Sequence, residues 1–384
     1  MYYNARPVKL NGRRPRPHYY KNYMETRGVK YIGSKAALVN EILSFVEANI
    51  PPGDPKTIID VFTGTTRVAQ AFRSKGWATT TSDLSWAAEA YAHAFVLRTA
   101  VSGARIPNLL SQLATLPPAE SGWITSNYCD VVTATGGVIK MWKPANGRKA
   151  DAIREQIATW ETGGDCSHHE AMILVACLIF ALDRVDSSVG VQQAYLKEWA
   201  ARASNPLELM DLPFPGGPAG SHFVGNALTI PYPAASVAYL DPPYSAHSYA
   251  TYYHIWDSIT RWDKPAVGLK TNRRIDRVSA SDEFDESMSS SWNSKKTALE
   301  SFTRLVDRLP VKYVVISYND ESLVPLEMLV DTLKGKYTAD CVVVKKIPYK
   351  RNIMAQIGNA AEGIADGAVA KTENNEVLIW IRKP

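Results

Sequence analysis

Short runs of β-branched and aliphatic residues that end on an acid alternate with longer stretches whose apolar positions recur every three or four residues. Residues 36–50 are of the second kind, with Leu38, Ile42, Leu43, Phe45 and Val46 on one helical face before Pro51, Pro52 and Gly53 stop it. Residues 57–62 are of the first kind and read as a buried parallel strand. Thr63, Gly64 and Thr65 make a turn, and 66–75 read as a helix closed by Gly76. A second strand over 78–82 ends at Asp83, and 86–98 read as a second helix. This β-α-β-α order predicts an α/β protein with a doubly wound, Rossmann-like sheet.

The rhythm breaks over 100–220, where Pro117-Pro118, Gly136-Gly137, Gly163-Gly164 and a Pro/Gly cluster at 213–220 punctuate the chain. The clearest element there begins at Ser167, which forms a capping-box pattern with Glu170 ahead of an apolar run to Leu182. This stretch reads as a mostly helical insert. The α/β pattern returns with a strand at 236–240 ending on Asp241, a helix at 249–262, a polar loop at 263–295 and a helix at 297–309. A strand at 312–316 and a helix at 322–334 follow, and 337–346 with 376–382 read as a terminal antiparallel pair. Four parts are expected: an arm at 1–28, a first sheet half at 29–99, the insert at 100–220 and a second sheet half at 221–384.

Charge changes the picture at one end. The chain of 384 residues carries net +5, yet its first forty residues hold nine Lys/Arg and one acid, +8, leaving the rest at −3. Arg13, Arg14 and Arg16 alternate with Pro15 and Pro17, so this arm cannot build a helix. A basic arm suits a polyanion. Four cysteines without a spaced framework argue against a disulfide scaffold and for a reducing, cytoplasmic setting. The apolar run at 171–182 is too short for a membrane span, and no apolar segment follows the basic start as a secretory signal requires.

Three motifs carry candidate chemistry. Asp241-Pro242-Pro243-Tyr244 follows the apolar strand Val237-Ala238-Tyr239-Leu240. Functional groups collect at the carboxyl ends of such strands. Two prolines fix the backbone and remove two N–H donors. A carbonyl and the Asp241 carboxylate are then two acceptors beside the flat Tyr244 ring, an arrangement suited to a planar exocyclic amine. Asp60, Phe62, Gly64 and Thr65 form an acid and a glycine turn ahead of a helix, as a nucleoside cofactor needs. Asp83 stands where an acid accepts ribose hydroxyls. The further glycines of a dinucleotide cradle are missing, which disfavours a hydride-transferring dehydrogenase. In Tyr31-Ile32-Gly33-Ser34-Lys35 the tyrosine could pack on a cofactor and Lys35 could meet a carboxylate.

Taken together and in this order, the motifs resemble the Dam-type (alpha-class) DNA adenine-N6 methyltransferases over 30–383. Residues 31–35 resemble that family's N-terminal cofactor motif, Asp60 to Thr65 its F-x-G loop, Asp83 its ribose acid and Asp241 to Tyr244 its catalytic motif. The resemblance implies a methyltransferase fold with S-adenosylmethionine as cofactor. Phe62, Gly64 and Thr65 would line its pocket, with Tyr31 and Gly33 beside them. Lys35 and Asp60 would handle its methionine end. DNA adenine would be the substrate, flipped out to stack on Tyr244. Two departures stand out. Thr66 replaces the family's second glycine, for which altered packing rather than lost binding is expected. Asn226 stands where an Asp often touches the cofactor's adenine.

The resemblance assigns target recognition to the 100–220 insert and allows a cognate restriction enzyme as a biological partner. It leaves the oligomeric state open. Arg13, Arg14 and Arg16, with Lys270, Arg273 and Arg274 in a basic loop at 261–277 and Lys350 and Arg351 in another at 345–351, are candidate DNA contacts. No metal is expected: Cys166, His168, His169 and Glu170 read as a capped helix start. Trp142, Trp160 and Trp199 read as packing residues. The rival readings are an N4-cytosine or RNA adenine methyltransferase, and a DNA-binding protein that keeps the fold without catalysis. Removing residues 1–25 is expected to weaken DNA affinity and flatten its salt dependence while sparing cofactor binding. Filter binding across a salt series checks this.

Overall fold

The structure, a computed structural model, describes residues 25–384 except 133–135, 137, 193–197, 244–247, 269–270, 320–321 and 351–372. After a turn of 3-10 helix at Lys35–Ala37 come α1 (Val39–Asn49), β1 (Thr57–Asp60), α2 (Arg67–Ser74) and β2 (Ala78–Asp83). α3 (Ala87–Ala92) runs into a π-helical turn at His93–Leu97. The insert holds α4 (Ile106–Thr115), α5 (Trp123–Tyr128), β3 (Cys129–Val132), β4 (Val138–Lys140), α6 (Pro144–Gly163) and α7 (His168–Arg184). Then follow β5 (Ser221–Val224), β6 (Ala235–Leu240), α8 (Tyr249–Tyr252), α9 (His254–Arg261), α10 (Lys295–Arg308), β7 (Val311–Asn319), α11 (Leu326–Tyr337), β8 (Val342–Lys350) and β9 (Glu373–Arg382).

The main sheet runs β5-β2-β1-β6-β7-β9-β8. β1 pairs in parallel with β2 and β6, and β6 with β7; β9 is antiparallel to both β7 and β8. The expected doubly wound sheet and terminal antiparallel pair are therefore present. Apolar runs form its centre because helices cover both faces: Ile58, Ile59, Val237, Ala238, Val314 and Val315 are at most 1% exposed. Several boundaries differ from the sequence reading; α11, for example, is shifted from the expected 322–334 to Leu326–Tyr337. Residues 337–341 belong to the end of α11 and a short turn, so β8 starts at Val342. The helix expected at 249–262 breaks at Tyr253, between α8 and α9.

Among the described residues, the insert's core is continuous with that of α3 and α9. α7 starts with the capping box expected at Ser167 and Glu170 and is buried almost all round. Its apolar residues join Ala90, Tyr91 and Phe95 near α3 and Ile255, Trp256 and Ile259 of α9 in one cluster. Trp142 lies fully inside it and donates its indole N–H to the Leu182 carbonyl at 3.0 Å. Trp160 packs against its edge, and Lys143 lies 5.7 Å from the Trp199 ring. The insert also carries the antiparallel β3–β4 pair, which periodicity did not signal.

Two arginines clamp the chain where it leaves the insert. Arg73, 1% exposed, donates to the carbonyls of Phe95 (2.7 Å), Pro218 (2.9 Å) and Arg98. Arg98 forks onto Asp211 at 2.6 and 2.9 Å, and both guanidiniums lie over Phe214. Gly217 is required beside them: its φ is +104°, and a Cβ there would stand 2.1 Å from the Arg73 carbonyl oxygen. Arg73→Leu strands two buried carbonyls and a third, partly exposed one, and is expected to cost about 3 kcal/mol of stability. Urea unfolding, with Gly217→Ala as a second destabilised variant, measures the effect; unchanged midpoints would contradict the clamp.

Candidate active site

The sheet order puts β2, β1 and β6 side by side, so their carboxyl ends bring Asp83, Asp60 and Asp241 to one edge. The strand order reverses between β1 and β6, the place where open α/β sheets bind ligands. The loop after β1 is folded onto β2, with the Thr63 N–H donating to the Ser82 carbonyl at 3.0 Å. Asp83 holds this arrangement: its carboxylate accepts from the Gly64 N–H at 2.8 Å and the Ser85 N–H at 2.9 Å. Gly64 has φ +49°, and a Cβ there would meet the Tyr31 ring.

Asp60 is 1% exposed. Its Oδ2 accepts from Thr63 Oγ1 at 2.8 Å and from the Ala69 N–H at 3.2 Å, while its buried Oδ1 finds no hydrogen-bond partner among the described residues. Burial pushes its pKa up to about 7; the Thr63 bond opposes this and the Asp241 charge adds to it. Burial also raises Asp83, to about 6, against the Ser85 and Gly64 amides. Thr66 adopts the left-handed conformation, φ 61°, that glycine takes more easily, and its hydroxyl accepts from Gln70 Nε2 at 3.0 Å. Thr66 therefore takes the glycine-like backbone itself, with its hydroxyl tied to Gln70.

Lys35, 5% exposed, forms an ion pair with Asp241 at 2.9 Å. The Tyr31 ring stacks on Tyr253 at 4.3 Å and leans on Tyr249 at 5.5 Å. The Ile32 N–H donates to Tyr253 Oη at 2.7 Å, which ties the N-terminal motif to α9's start. Tyr31, Gly33, Lys35, Asp60, Phe62, Gly64, Thr65, Asp83, Asn226, Asp241, Pro242 and Pro243 all line one cavity of about 1250 Å³, counting its open mouth. Asn226 there also accepts the Leu228 N–H at 2.9 Å. Tyr244 lies outside the described residues.

Sequence reasoning missed part of the wall. Residues 288–293 line the cavity, and Trp292 meets Phe62 edge-on at 5.1 Å. A lone tryptophan among serines was the available signal. Tyr249 and Tyr253 were noted only as part of a helix.

The proposed DNA contacts fare differently. Arg274 requires correction: it is 2% exposed and held by Asp263 at 2.7 Å and Asp276 at 2.9 Å, so its charge is neutralised inside the fold. With Arg261 and Arg277 it surrounds the Trp86 ring, at 5.0, 4.1 and 5.0 Å respectively. Arg273 is half-buried in the same segment. The expected loop at 345–351 is strand through Lys350, and Lys345 pairs with Glu41 at 2.9 Å. Arg13, Arg14, Arg16, Lys270 and Arg351 lie outside the described residues. Among the described residues no helix is long and apolar enough to cross a membrane.

Comparison with known proteins agrees with this geometry. Residues 31–318 match the family model of the D12 class N6 adenine-specific DNA methyltransferases. The modification methylase StsI of Streptococcus sanguinis is 28% identical over 84% of the chain, which spans 48% of that relative's length. The type II methyltransferase M.NlaIII of Neisseria lactamica is 28% identical over 80% of the chain and 89% of its own length. M.CviAII of Paramecium bursaria Chlorella virus 1 is 24% identical over 87% of the chain and 96% of its own length. With three strand-end acids around one cavity and the family model covering most of its length, the chain belongs to the D12 class N6 adenine-specific DNA methyltransferases.

Proposed function

We propose that the protein methylates the exocyclic N6 of a specific adenine in DNA, with S-adenosylmethionine as methyl donor. The observation that carries this reading is the delivery of Asp60, Asp83 and Asp241-Pro242-Pro243 to a single cavity by three adjacent strands. The family implies S-adenosylmethionine in general terms, and the residues present fit it. The unpartnered, buried Oδ1 of Asp60 suits an ammonium group. Asp83 stands at the second strand's end, the place for a ribose diol. Phe62 and Asn226 offer a flat wall and an amide for a purine. Lys35, buried and paired with Asp241, is the cation that a cofactor carboxylate would share. When bound, the cofactor supplies an electrophilic methyl group.

The chain's own residues then act by position and dipole. Asp241 and the Pro242 carbonyl accept the two N–H bonds of the target amine and orient its lone pair. Tyr244 stacks on the flipped base. No covalent nucleophile is needed. The insert carries target recognition in this reading. A restriction endonuclease as biological partner and a cytoplasmic setting rest on analogy with the named modification methylases.

The test is methyl transfer from labelled cofactor to DNA, followed by nucleoside mass spectrometry. N6-methyladenine is expected; N4-methylcytosine, or transfer to RNA alone, would replace the reading with its rivals. Asp241→Ala should lower transfer by about a hundredfold or more while leaving cofactor binding largely intact.

Asp60 adds a pH dependence. It carries its charge only above about pH 7, so cofactor affinity should rise as pH climbs through that value. Below it, affinity should fall about tenfold per pH unit. Calorimetric titration of wild type against Asp60→Asn, which should lack the slope, checks this. In the empty protein the sign reverses. The folded pKa lies above the unfolded one, so the stabilising effect of the shift is full at low pH and is lost as pH rises through about 7.

A further inference from the structure

Away from the cavity, α3 meets the start of α7 through a cluster of imidazoles and carboxylates. Glu89 and the next-turn His93 stand four residues apart on one helical face, and His168 opens α7. One donor atom from each of Glu89, His93 and His168 lies within 4.8 Å of the others. Glu89 Oε1 and His168 Nε2 are 3.3 Å apart. Two ligands bonded at about 2.0 Å to a tetrahedral ion are about 3.3 Å from each other.

The nitrogens turned away from the cluster are also engaged. His168 Nδ1 lies 2.7 Å from Glu161 Oε1, and His93 Nδ1 lies 2.8 Å from His169 Nδ1. His169 Nε2 in turn meets Ser102 Oγ at 3.0 Å. With Nδ1–H of His168 donated to Glu161, loss of the second ring proton to an incoming ion would turn the Nε2 contact with Glu89 from a hydrogen bond into a pair of ligand atoms. With Nδ1–H of His93 donated to His169, its own Nε2 is left for a ligand bond. Metal-binding histidines are oriented in this way, with the second nitrogen donated to a carboxylate or other acceptor.

We propose that Glu89, His93 and His168 bind one divalent transition-metal ion of the zinc class, oriented by Glu161 and His169. Two borderline imidazoles with one carboxylate suit zinc over calcium or magnesium, which take oxygen shells. His168 is half-exposed, which leaves the fourth position open to water. The ion staples the insert's central helix to the layer behind β2. Because none of the three residues lines the cavity, the test of this site is separate from that of methyl transfer.

Protein stripped with a chelator is titrated with zinc against a chromophoric competitor, and with cobalt for its visible spectrum. One equivalent should bind, cobalt should show nitrogen/oxygen ligand-field bands, and zinc should raise the melting temperature. His93→Ala and His168→Gln should each weaken zinc binding by about tenfold or more, and Glu161→Gln by about ten- to a hundredfold. Glu161→Gln, which alters no ligand, guards against misfolding of the ligand variants. Failure of wild type to retain stoichiometric zinc, unchanged affinity in all three variants, or a thiolate-to-cobalt charge-transfer band from Cys166 would overturn the proposal.

Discussion

Three carboxylates gathered at one sheet edge set the terms for everything around them. Parallel pairing of β1 with both β2 and β6 leaves Asp60, Asp83 and Asp241 on the same side, and like charges there resist joint ionisation. Each acid meets the constraint differently. Asp241 takes the Lys35 cation, Asp83 takes two backbone amides, and Asp60 takes a hydroxyl and one amide but keeps an oxygen unpartnered. Burial raises both Asp60 and Asp83, to about 7 and about 6, with two backbone amides opposing it at Asp83 and the Thr63 hydroxyl and one amide at Asp60. A ligand with a cationic end relieves the remaining imbalance.

The surrounding scaffold keeps these groups in place through contacts that cross the whole chain. α7 shares its core with α3 and α9, so the insert cannot shift without disturbing the helices next to the site. Asp257 of α9 accepts from the Ser85 hydroxyl at 2.6 Å and the Ala87 N–H at 3.0 Å, directly after Asp83. Arg274 and Arg277 over Trp86 then hold the 271–277 segment against the same turn. One network thus runs from the insert, through α9, to the acid at the end of β2.

Much of this was legible in the sequence because parallel strands are buried on both faces. A short β-branched or apolar run meeting an acid marked β1, β2 and β6, and the same ends supplied the candidate site. What stayed hidden depends on partners distant in the chain. Residues 263–295 have no periodicity, so they read as loop, although Trp292 packs on Phe62 and lines the cavity. Arg274 looked like a surface cation because sequence shows its charge but not its burial. His168 and His169 read correctly as a helix start, whereas Glu89 and His93, which face them, come from a helix more than seventy residues earlier.

The same distinction between charge and exposure narrows the meaning of the basic N-terminus. Of the nine Lys/Arg in the first forty residues, Lys30 is spent on Asp183 and Asp186, Lys35 on Asp241, and Arg27 on Glu25. Six remain, all within residues 1–24, where there is no acid; that segment carries +6 and the remainder of the chain −1. A body that is close to neutral gives little long-range attraction to a phosphate backbone, and its charges pair internally at several of the sites that looked basic. On this charge count, the proposed attraction to DNA would draw on the first 24 residues or on local groups that touch it directly. The first source would act on any duplex, and the second would act only on a correctly docked one. Non-specific affinity and site recognition would then reside in different parts of this chain.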